Sequence, residues 1–442
     1  MKNKKFITLG FASVAIAISL VFSSNLFAEA KDTKEAKLKR ESSRLESLAK
    51  FTKVISIVEQ YNVDDVSVEE LMDKALEGMM SNLDAHSSYL KTKDFKNLKV
   101  QTDGEFGGLG ITVGIRDGVL TVIAPIEGTP ADKAGLESSD IILKINNEST
   151  LNMTIDEAVS IMRGKVGEPI DITIVREGEP KPLKINIIRG IITIESVYAK
   201  SIGDDIQYIR VTSFDKKVVD DVSDAIKKRK SSTKGIILDL RNNPGGLLDQ
   251  SVGLVDIFVD EGDIVSQKGR REVDNEIYSA KPSNTLTTVP LVVLINGGSA
   301  SASEIVSGAL QDHKRGIIVG QNTFGKGSVQ VVLPITEDEA IKLTIARYYL
   351  PSGRTIQAVG VKPDIEVLPG EVKTRVNEFA LKESDLKKHL KEELKKVDGK
   401  EKVEDKLEEN SKFIITDEML KKDMQLKVGT DILKALIITK GK

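Results

Sequence analysis

The chain has 442 residues and a nearly balanced charge, with 64 Lys and Arg against 67 Asp and Glu and a formal net charge of −3. A chain without a basic excess gives no electrostatic reason to expect a nucleic-acid partner. The absence of cysteine excludes disulfides and thiolate catalysis and removes most zinc motifs, and the three histidines leave little for histidine-based chemistry. The length is enough for two or three domains.

Residues 1–30 are predicted to be a secretory signal peptide. A basic start is followed by an apolar or small run of 17 residues, 6–22, and by an A-x-A cleavage pattern that ends at Ala30. The alternative is an uncleaved N-terminal anchor, because a run of this length is near the lower limit for spanning a bilayer. We favour cleavage, which would export the mature chain.

Residues 31–100 are predicted to be an N-terminal helical region. Apolar residues recur at helical spacing, at Leu45, Leu48, Phe51, Ile55 and Val58. A capping-box pattern over 67–70 predicts the start of a further helix. Near the end of the region, Asp84 and His86 invite comparison with a Ser/His/Asp triad. Two residues apart on one loop, they are better explained by a local turn with polar caps.

Residues 101–190 are predicted to form a separate β-rich module. Strands are expected over 112–115, 119–124, 141–145, 170–175 and 183–188, with an amphipathic helix over 154–163. This order, together with a Gly-Leu-Gly-Ile start at 108–111, resembles a PDZ domain. The alternative is a spacer module with an ordinary glycine turn.

The glycine-containing start of this module is the expected peptide-binding loop. Backbone N–H groups in such a loop can hold a terminal carboxylate, and the adjacent strand edge can accept an extended peptide as an added strand. The candidate peptide-binding residues are Leu109, Gly110 and Ile111.

From residue 191 to 370, alternating strands and helices predict βαβ units around a mixed sheet. Strands are expected over 206–211 and 235–240, with a helix over 215–230 between them. The second strand leads into Arg241-Asn-Asn-Pro-Gly-Gly. A Pro-Gly-Gly turn leaves backbone N–H groups accessible, as an oxyanion hole requires. The alternative is an ordinary turn between a strand and a helix.

Residues 291–330 carry the main chemical hypothesis. A buried strand over 291–295 ends in a glycine turn, a cluster of small residues and a helical pattern. This arrangement commonly presents a nucleophile, because helix-terminal N–H groups can receive developing negative charge. A second strand, 317–319, leads to Lys326 between two glycines. A lysine whose environment disfavours the ammonium form can activate a serine, so the pattern indicates a Ser/Lys dyad.

Other interpretations of the same residues remain at this point. The pattern alone does not choose among Ser299, Ser301 and Ser303, and Ser301 also fits a helix-capping box with Glu304. Lys326 alone is compatible with a solvated loop lysine. Residues 320–326 nearly match a phosphate-binding loop, but a glycine stands at 327 where that motif needs Ser or Thr, and a strand follows instead of a helix.

The motif GSASASEI at 298–305, followed by TFGKGSVQ at 323–330, resembles the carboxy-terminal processing proteases, also called tail-specific proteases. The resemblance implies that Ser301 is the nucleophile and Lys326 the general base. It also implies that Gln330 orients the lysine. The 25-residue separation between serine and lysine is similar to the family pattern.

The same resemblance implies further site residues. It assigns the oxyanion-hole N–H groups to Gly245 or Gly246, together with Ala302. A relative of the family uses a PDZ arginine to sense substrate, and Arg163 is the candidate here. The alternative for Arg163 is a cation that only complements a helix dipole. The family also carries an LDPHSSYL segment as a structural element, and Ala85 replaces its proline in this chain.

Residues 371–442 are predicted to be a charged linker and a C-terminal helical region. More than half of the residues over 371–412 are charged, with both signs mixed, which is typical of a solvated segment. An apolar rhythm returns over 416–439. We expect this last segment to pack on the N-terminal helices or on a second subunit.

The sequence as a whole predicts an α/β fold with a mixed sheet, a ClpP/crotonase-like catalytic core with an inserted PDZ domain, and helical N- and C-terminal regions. The predicted function is a secreted serine endopeptidase of the periplasm or cell envelope that recognises protein C-terminal tails and cleaves through an acyl-enzyme, without a cofactor or metal. The alternative is a non-catalytic PDZ adaptor of the envelope. The expected partners are substrates with free C-termini, a second copy bound through terminal helices, and an adaptor or regulatory protein.

Overall fold

The computed structural model describes residues 38–116, 118–229, 231–372 and 413–440, and the chain divides into two compact units, Met1–Tyr89 and Leu90–Lys442. The predicted signal peptide and most of the predicted charged linker lie outside the described residues. Within these ranges, no helix combines the length and the apolar character that a bilayer crossing needs.

The described part of the first unit is helical, as predicted. Helix α1 spans residues 38–61, and α2 spans Val68–Ser81. The side chain of Ser67 caps α2 by accepting the N–H of Glu70 at 3.1 Å, which confirms the predicted start. Several large apolar side chains of α1 are exposed, at Leu38, Leu45, Leu48, Val54, Ile57 and Tyr61.

A polar turn follows α2 and leads into strand β1, Ser88–Leu90. One carboxylate oxygen of Asp84 accepts the N–H groups of His86 and Ser87 at 2.8 and 2.9 Å. The other accepts the Ser87 hydroxyl at 2.6 Å. An aspartate that binds the backbone two and three residues ahead is a common turn device. The interpretation of this segment as a local turn is therefore confirmed.

The β-rich module follows in the second unit. Its elements in chain order are α3 (Thr92–Asp103), β2 (Glu105–Gly108), β3 (Ile111–Arg116), β4 (Val119–Pro125), α4 (Pro130–Lys133), β5 (Ile141–Ile145), β6 (Glu148–Ser149), α5 (Ile155–Met162), β7 (Pro169–Val175), β8 (Leu183–Ile188) and β9 (Gly190–Thr193). The sheet order is β3-β4-β5-β7-β8, with β6 paired to β5, so β3 is an edge strand. Strands β2 and β9 pair antiparallel as a neck, with Gly108 opposite Gly190.

The module folds around alternating apolar residues. In β7, the side chains that point inward are buried, at Ile170, Ile172 and Ile174, while those between them are more exposed. Helix α5 starts with a complete capping box. The Thr154 N–H donates to the Glu157 carboxylate at 2.8 Å, and the Glu157 N–H donates to the Thr154 hydroxyl at 3.2 Å. The cap explains why the helix begins where the amphipathic pattern predicts.

The rest of the unit is built on a mixed sheet. Its elements are β10 (Val197–Ile202), β11 (Ile206–Val211), α6 (Val218–Lys227), β12 (Gly235–Asp239), α7 (Leu248–Asp256), β13 (Asp263–Gly269), β14 (Glu276–Ser279), β15 (Leu291–Ile295), α8 (Ala302–Asp312), β16 (Ile317–Gly320), β17 (Ser328–Pro334), β18 (Ala340–Tyr349), β19 (Ile365–Glu366), α9 (Asp417–Lys422) and α10 (Met424–Lys440). The strand order is β10-β11-β12-β15-β16-β19. Only the β10–β11 pair within it is antiparallel. A second, antiparallel path runs β17-β18-β13-β14.

Both faces of the central sheet are covered, as a largely parallel sheet requires. On one face, Ile236 and Leu238 of β12 lie in the core that also contains buried residues of α6, α7 and α8. On the other face, Ile237 lies in a core that contains buried residues of α9 and α10. The sheet is thus the middle layer of an α/β/α arrangement.

The position of the C-terminal helices corrects one expectation. We expected residues 416–439 to pack on the N-terminal helices or a second subunit, but α9 and α10 cover the central sheet. Leu426 and Leu433 of α10 lie in one buried cluster with Val292 and Leu294 of β15. The expectation did not include the central sheet, whose apolar second face on β12 and β15 needs a cover that this helical segment supplies.

This packing predicts that α10 is part of the folding core. Replacing the fully buried Leu433 by Ala should lower the free energy of unfolding by about 2–5 kcal/mol, since it leaves a cavity beside Gly235 and β15. Chemical denaturation of the full chain measures the change. The matched control is Ile438→Ala on the same helix, where the side chain is 66% exposed and we expect less than about 0.5 kcal/mol. Equal effects of the two changes would contradict the packing.

Candidate active site

Ser301 lies at a sharp turn between strand β15 and helix α8. Its backbone angles are φ 54° and ψ −112°, and such a positive φ is strained for a residue with a side chain. A strained serine at a strand-to-helix turn is the arrangement by which other hydrolases expose a nucleophile. The strand and the helix occur where the sequence predicts them.

The structure separates the three candidate serines. Ser299 and Ser303 are fully buried, and both hold the turn in place. The Ser299 hydroxyl donates to the carbonyl oxygen of Leu240 at 2.8 Å, and the Ser303 hydroxyl donates to that of Asn243 at 2.9 Å. Ser301 is partly exposed. Of the three, Ser301 is therefore the one placed to meet a substrate.

A buried carboxylate, Glu304, joins this turn to the lysine loop, which is residues 321–327 between β16 and β17. One of its oxygens, Oε2, accepts the backbone N–H of Ser301 at 2.7 Å and that of Lys326 at 2.8 Å. The other, Oε1, accepts the N–H of Gly325 and the hydroxyl of Thr323, both at 2.6 Å. Glu304 is fully buried. All four partners are donors, so the site is built for an ionised carboxylate.

The chemistry of Glu304 reflects two opposed effects. Burial raises the pKa of its carboxyl above the usual value, while the hydrogen bonds from Thr323 and the three backbone N–H groups oppose that rise. The sequence analysis recognised Glu304 only as the fourth residue of a capping box. The signal for its larger role would have been a charged residue between small ones on an otherwise buried helix face.

The shared carboxylate brings the two predicted catalytic residues together. The backbone N–H groups of Ser301 and Lys326 both donate to Glu304 Oε2. The two nitrogen atoms are therefore at most 5.5 Å apart, which is the sum of the two donor–acceptor distances. Lys326 stands between Gly325, which has φ +95°, and Gly327, where a Cβ would approach the backbone nitrogen of Gln357 to 2.6 Å. The flanking glycines thus follow from the tight path of the loop.

Gln330 lies on β17, the strand that follows the lysine loop. Its side-chain nitrogen donates to the hydroxyl of Ser328 at 2.7 Å and to that of Thr344 at 3.3 Å. These contacts fix the amide at the edge of the lysine loop. Its orienting role towards Lys326 stays a prediction.

The Pro-Gly-Gly loop lies against the nucleophile turn, residues 296–301, which carries the proposed nucleophile Ser301. A Cβ built on Gly245 would be 2.9 Å from the Cβ of Ser301 and 3.1 Å from the nitrogen of Ala302. The N–H of Gly245 donates to the side-chain oxygen of Asn243 at 2.9 Å. The Gly246 N–H makes no hydrogen bond within the part of the chain that the structure describes. The loop is therefore in the right place for an oxyanion hole, and the choice between the two glycines stays a prediction.

The four predicted peptide-binding residues line one groove. Leu109, Gly110, Ile111 and Arg163 surround a cavity of about 300 Å³ between β3 and α5. Gly110 has φ +79°, and a Cβ there would come within 2.3 Å of the Cβ of Thr129, so the loop requires glycine.

The guanidinium of Arg163, which we also considered as a partner of the helix dipole, forms no hydrogen bond with the terminal carbonyl oxygens of α5, a helix that the structure describes in full. A different arginine, Arg189, donates to the carbonyl oxygens of Ile161 and Met162 at the end of α5, at 2.9 and 3.0 Å. The Arg163 guanidinium instead lies 4.5 Å from the centre of the Phe106 ring on the neck strand β2, and it donates to Asn97 of α3 at 3.3 Å. It therefore stands between the groove and the neck.

Comparison with protein families matches three parts of the chain. Residues 205–367 match peptidase family S41, residues 121–176 match a PDZ domain, and residues 8–94 match the N-terminal domain of the activating protease CtpB. The family S41 match includes Ser301, Lys326 and the Pro-Gly-Gly loop.

Similar proteins cover most of the chain. The carboxy-terminal-processing protease of Bartonella bacilliformis is 44% identical over 357 residues, which are 79% of this chain and 82% of that protein. The carboxy-terminal processing protease CtpA of Bacillus subtilis is 33% identical over 366 residues, 82% of this chain and 76% of that protein. Among solved structures, the photosystem II D1 C-terminal processing protease is similar at 28% identity, with a TM-score of 0.42 over 70% of this chain and 85% of that chain.

The fold and the family matches define a serine peptidase of family S41 with an inserted PDZ domain. At this identity and coverage, the chain belongs to the carboxy-terminal processing proteases. The predicted family, fold class and enzyme class are confirmed. As a member of this family, the protein acts on protein substrates with C-termini.

The Glu304 contacts generate a test of the site's scaffold. Glu304→Gln places an amide donor among four donors, so we expect the free energy of unfolding to fall by about 1–3 kcal/mol. Because the same oxygen positions Ser301 and Lys326, kcat should fall by about tenfold or more at a temperature where the variant is folded. Glu337→Gln, on an exposed residue, is the control. Wild-type kcat in Glu304→Gln would contradict the positioning by this carboxylate.

Proposed function

We propose that Ser301 and Lys326 form the catalytic dyad of this protease. The observation that supports it most directly is the shared Glu304 oxygen, which holds the backbones of both residues within bonding range of one atom. The partial exposure of Ser301, against the complete burial of Ser299 and Ser303, supports the choice of nucleophile.

The proposed reaction proceeds through an acyl-enzyme. The neutral amine of Lys326 takes the proton from the Ser301 hydroxyl as Oγ attacks the peptide carbonyl carbon. The tetrahedral intermediate collapses, the C–N bond breaks, and the leaving amine receives the proton from the Lys326 ammonium. A water molecule, activated by the same amine, then attacks the ester, and the carboxylic acid leaves as Ser301 regains its proton.

Backbone N–H groups are proposed to hold the oxyanion. Ala302 is the first residue of α8, an 11-residue helix, so its N–H belongs to the positive end of the helix dipole. Gly245 or Gly246 would supply the second donor, supported by the close approach of Gly245 to Ser301 and Ala302. Preorganised donors of this kind commonly provide the largest electrostatic part of acyl-transfer catalysis. Gln330 would orient Lys326 from β17.

The PDZ domain is proposed to bind the substrate's C-terminal tail. The groove beside Leu109, Gly110 and Ile111 would hold the carboxylate with backbone N–H groups, and the free edge of β3 would accept the tail as an added strand. Arg163 lies at the end of this groove and contacts Phe106 of the neck. Through this contact, Arg163 would transmit the binding of a tail in the groove to the catalytic domain. The mostly apolar lining favours an apolar last residue.

Export and assembly are further parts of the proposal. The leader pattern of residues 1–30 supports export to the periplasm or cell envelope. The exposed apolar side chains of α1 support an oligomer formed through this helix, because a soluble helix rarely leaves such a stripe uncovered. The C-terminal helix α10 packs on the central sheet, so α1 is the better candidate of the two terminal helices for an oligomer interface. An adaptor or regulatory partner is also proposed. Family membership favours the protease over the alternative of a non-catalytic adaptor.

The dyad is tested by removing each of its groups. Ser301→Ala and Lys326→Ala should each lower kcat by about a thousandfold or more on an unfolded protein with a free apolar tail, because each loses an essential reacting group. Mass spectrometry of the products gives the rates and cleavage positions. Lys362→Ala, at an exposed loop position, is the control. Undiminished turnover in either dyad variant would end the proposal.

Tail recognition is tested by blocking the carboxylate. A substrate with an amidated C-terminus should be cleaved more slowly than the same substrate with a free one, because an amide cannot use an anion-binding loop fully. Arg163→Ala should reduce this difference, whereas Lys184→Ala on the exposed side of β8 should preserve it. Competition kinetics with both substrates in one reaction measure the ratio. Equal rates for free and blocked tails in the wild type would count against recognition by the PDZ domain.

A further inference from the structure

A buried charge cluster connects the C-terminal helices to the loop beside Ser301. Arg241, two residues after the end of β12, has a side chain that is 12% exposed and lies between two carboxylates. Its Nη1 and Nη2 donate to the two oxygens of Asp423, both at 2.8 Å. Its Nε and Nη2 donate to the two oxygens of Asp239, at 2.9 and 2.6 Å. Asp423 lies at the junction of α9 and α10, 182 residues further along the chain.

The cluster is held as a unit. The Tyr208 hydroxyl donates to Asp239 at 2.8 Å, and Gln425 accepts from Arg241 at 3.2 Å. Burial opposes the charge of Arg241, but the hydrogen bonds to Asp239 and Asp423 outweigh burial and hold its pKa above the usual range. A guanidinium that forms two-pronged contacts with two carboxylates has little freedom to move, because each fork fixes the plane of the group.

Arg241 is also the first residue of the loop that offers the oxyanion donors. The next residue, Asn242, exchanges hydrogen bonds with Asn296 in the nucleophile turn, each at 2.9 Å. The carbonyl oxygen of Asn243 accepts the N–H of Ala300 at 3.0 Å. Gly245 then lies against Ser301. A continuous path therefore runs from Asp423 to Arg241, along the backbone of this loop, and through the hydrogen bonds of Asn242 and Asn243 to the turn that carries Ser301.

We propose that Asp423 is a positioning residue of the active site. Through its two-pronged pair with Arg241, Asp423 holds the loop over residues 241–246, which carries the proposed oxyanion donors, in the position that catalysis requires. The inference rests on the proposed function of Ser301 and of the loop at 245–246. Oxyanion donors act only when they are fixed close to the position that the developing charge will occupy. The C-terminal helical segment thus contributes to catalysis without touching the substrate.

Asp423 has a second role that a suitable substitution leaves intact. It precedes α10, and its side chain accepts the N–H of Leu426 at 3.0 Å as the cap of that helix. Asparagine caps helices about as well as aspartate, but it cannot offer two acceptor oxygens to a guanidinium. Asp423→Asn therefore removes the charge and the second prong of the pair with Arg241 and keeps the cap.

The test uses the full chain and steady-state kinetics on a peptide with a free tail. Asp423→Asn should lower kcat by about tenfold or more while KM changes by less than about threefold, because loop misplacement affects the transition state more than tail binding. Arg241→Lys should lower kcat similarly, and the double variant should lose no more than the larger single effect, since the two residues act as one pair.

A matched control exists on the same helix. Asp431 forms an exposed pair with Lys427 in α10, so Asp431→Asn removes the same charge from the same element without reaching the cluster, and its kcat should equal that of the wild type.

The outcomes separate this inference from the proposed dyad. Wild-type kcat in Asp423→Asn, with or without a lower Tm, would overturn the positioning role and show a structural one. If Ser301→Ala is inactive and Asp423→Asn is fully active, only this inference fails. If Ser301→Ala stays active, the dyad and this inference both fail.

Discussion

The proposed active site of this protein depends on one buried carboxylate. Glu304 receives two donors from the lysine loop backbone, one from Thr323 and one from the nucleophile turn. Two loops that leave different strands, β15 and β16, therefore meet at a single side chain. A buried carboxylate is stable only when its acceptor capacity is used, so any shift of either loop would leave it short of partners. The need to satisfy Glu304 thus keeps the strained Ser301 and the glycine-flanked Lys326 together.

Much of the catalytic unit could be predicted from local sequence. Strand β15 and the helix after it follow from an apolar run, a glycine turn and a helical spacing. The choice of Ser301 was different, because residues alone left three serines and only the family resemblance selected one. In the structure, hydrogen bonds and burial support the same choice, since the hydroxyl groups of Ser299 and Ser303 are used to hold the turn.

Other features could not be predicted because they join residues that are distant in sequence. No local pattern relates Asp423 to Arg241, and the amphipathic C-terminal segment shows which face is apolar without showing what covers it. The role of Arg163 was left open for the same reason. Only the fold shows that Arg189, from the end of the module, occupies the helix terminus and leaves Arg163 to the neck. Burial and contacts between residues distant in sequence determine these roles, and the periodicity of apolar residues does not show them.

The neck formed by β2 and β9 has a consequence for how such proteins diversify. Gly108 and Gly190 face each other across one ladder, so the chain leaves and rejoins the catalytic domain at neighbouring points. A domain whose ends are adjacent can be exchanged as a cassette with little disturbance to its host. The hydrolytic machinery could thus acquire a new preference for tails by replacement of a single modular insert, while the nucleophile turn and its carboxylate stay the same.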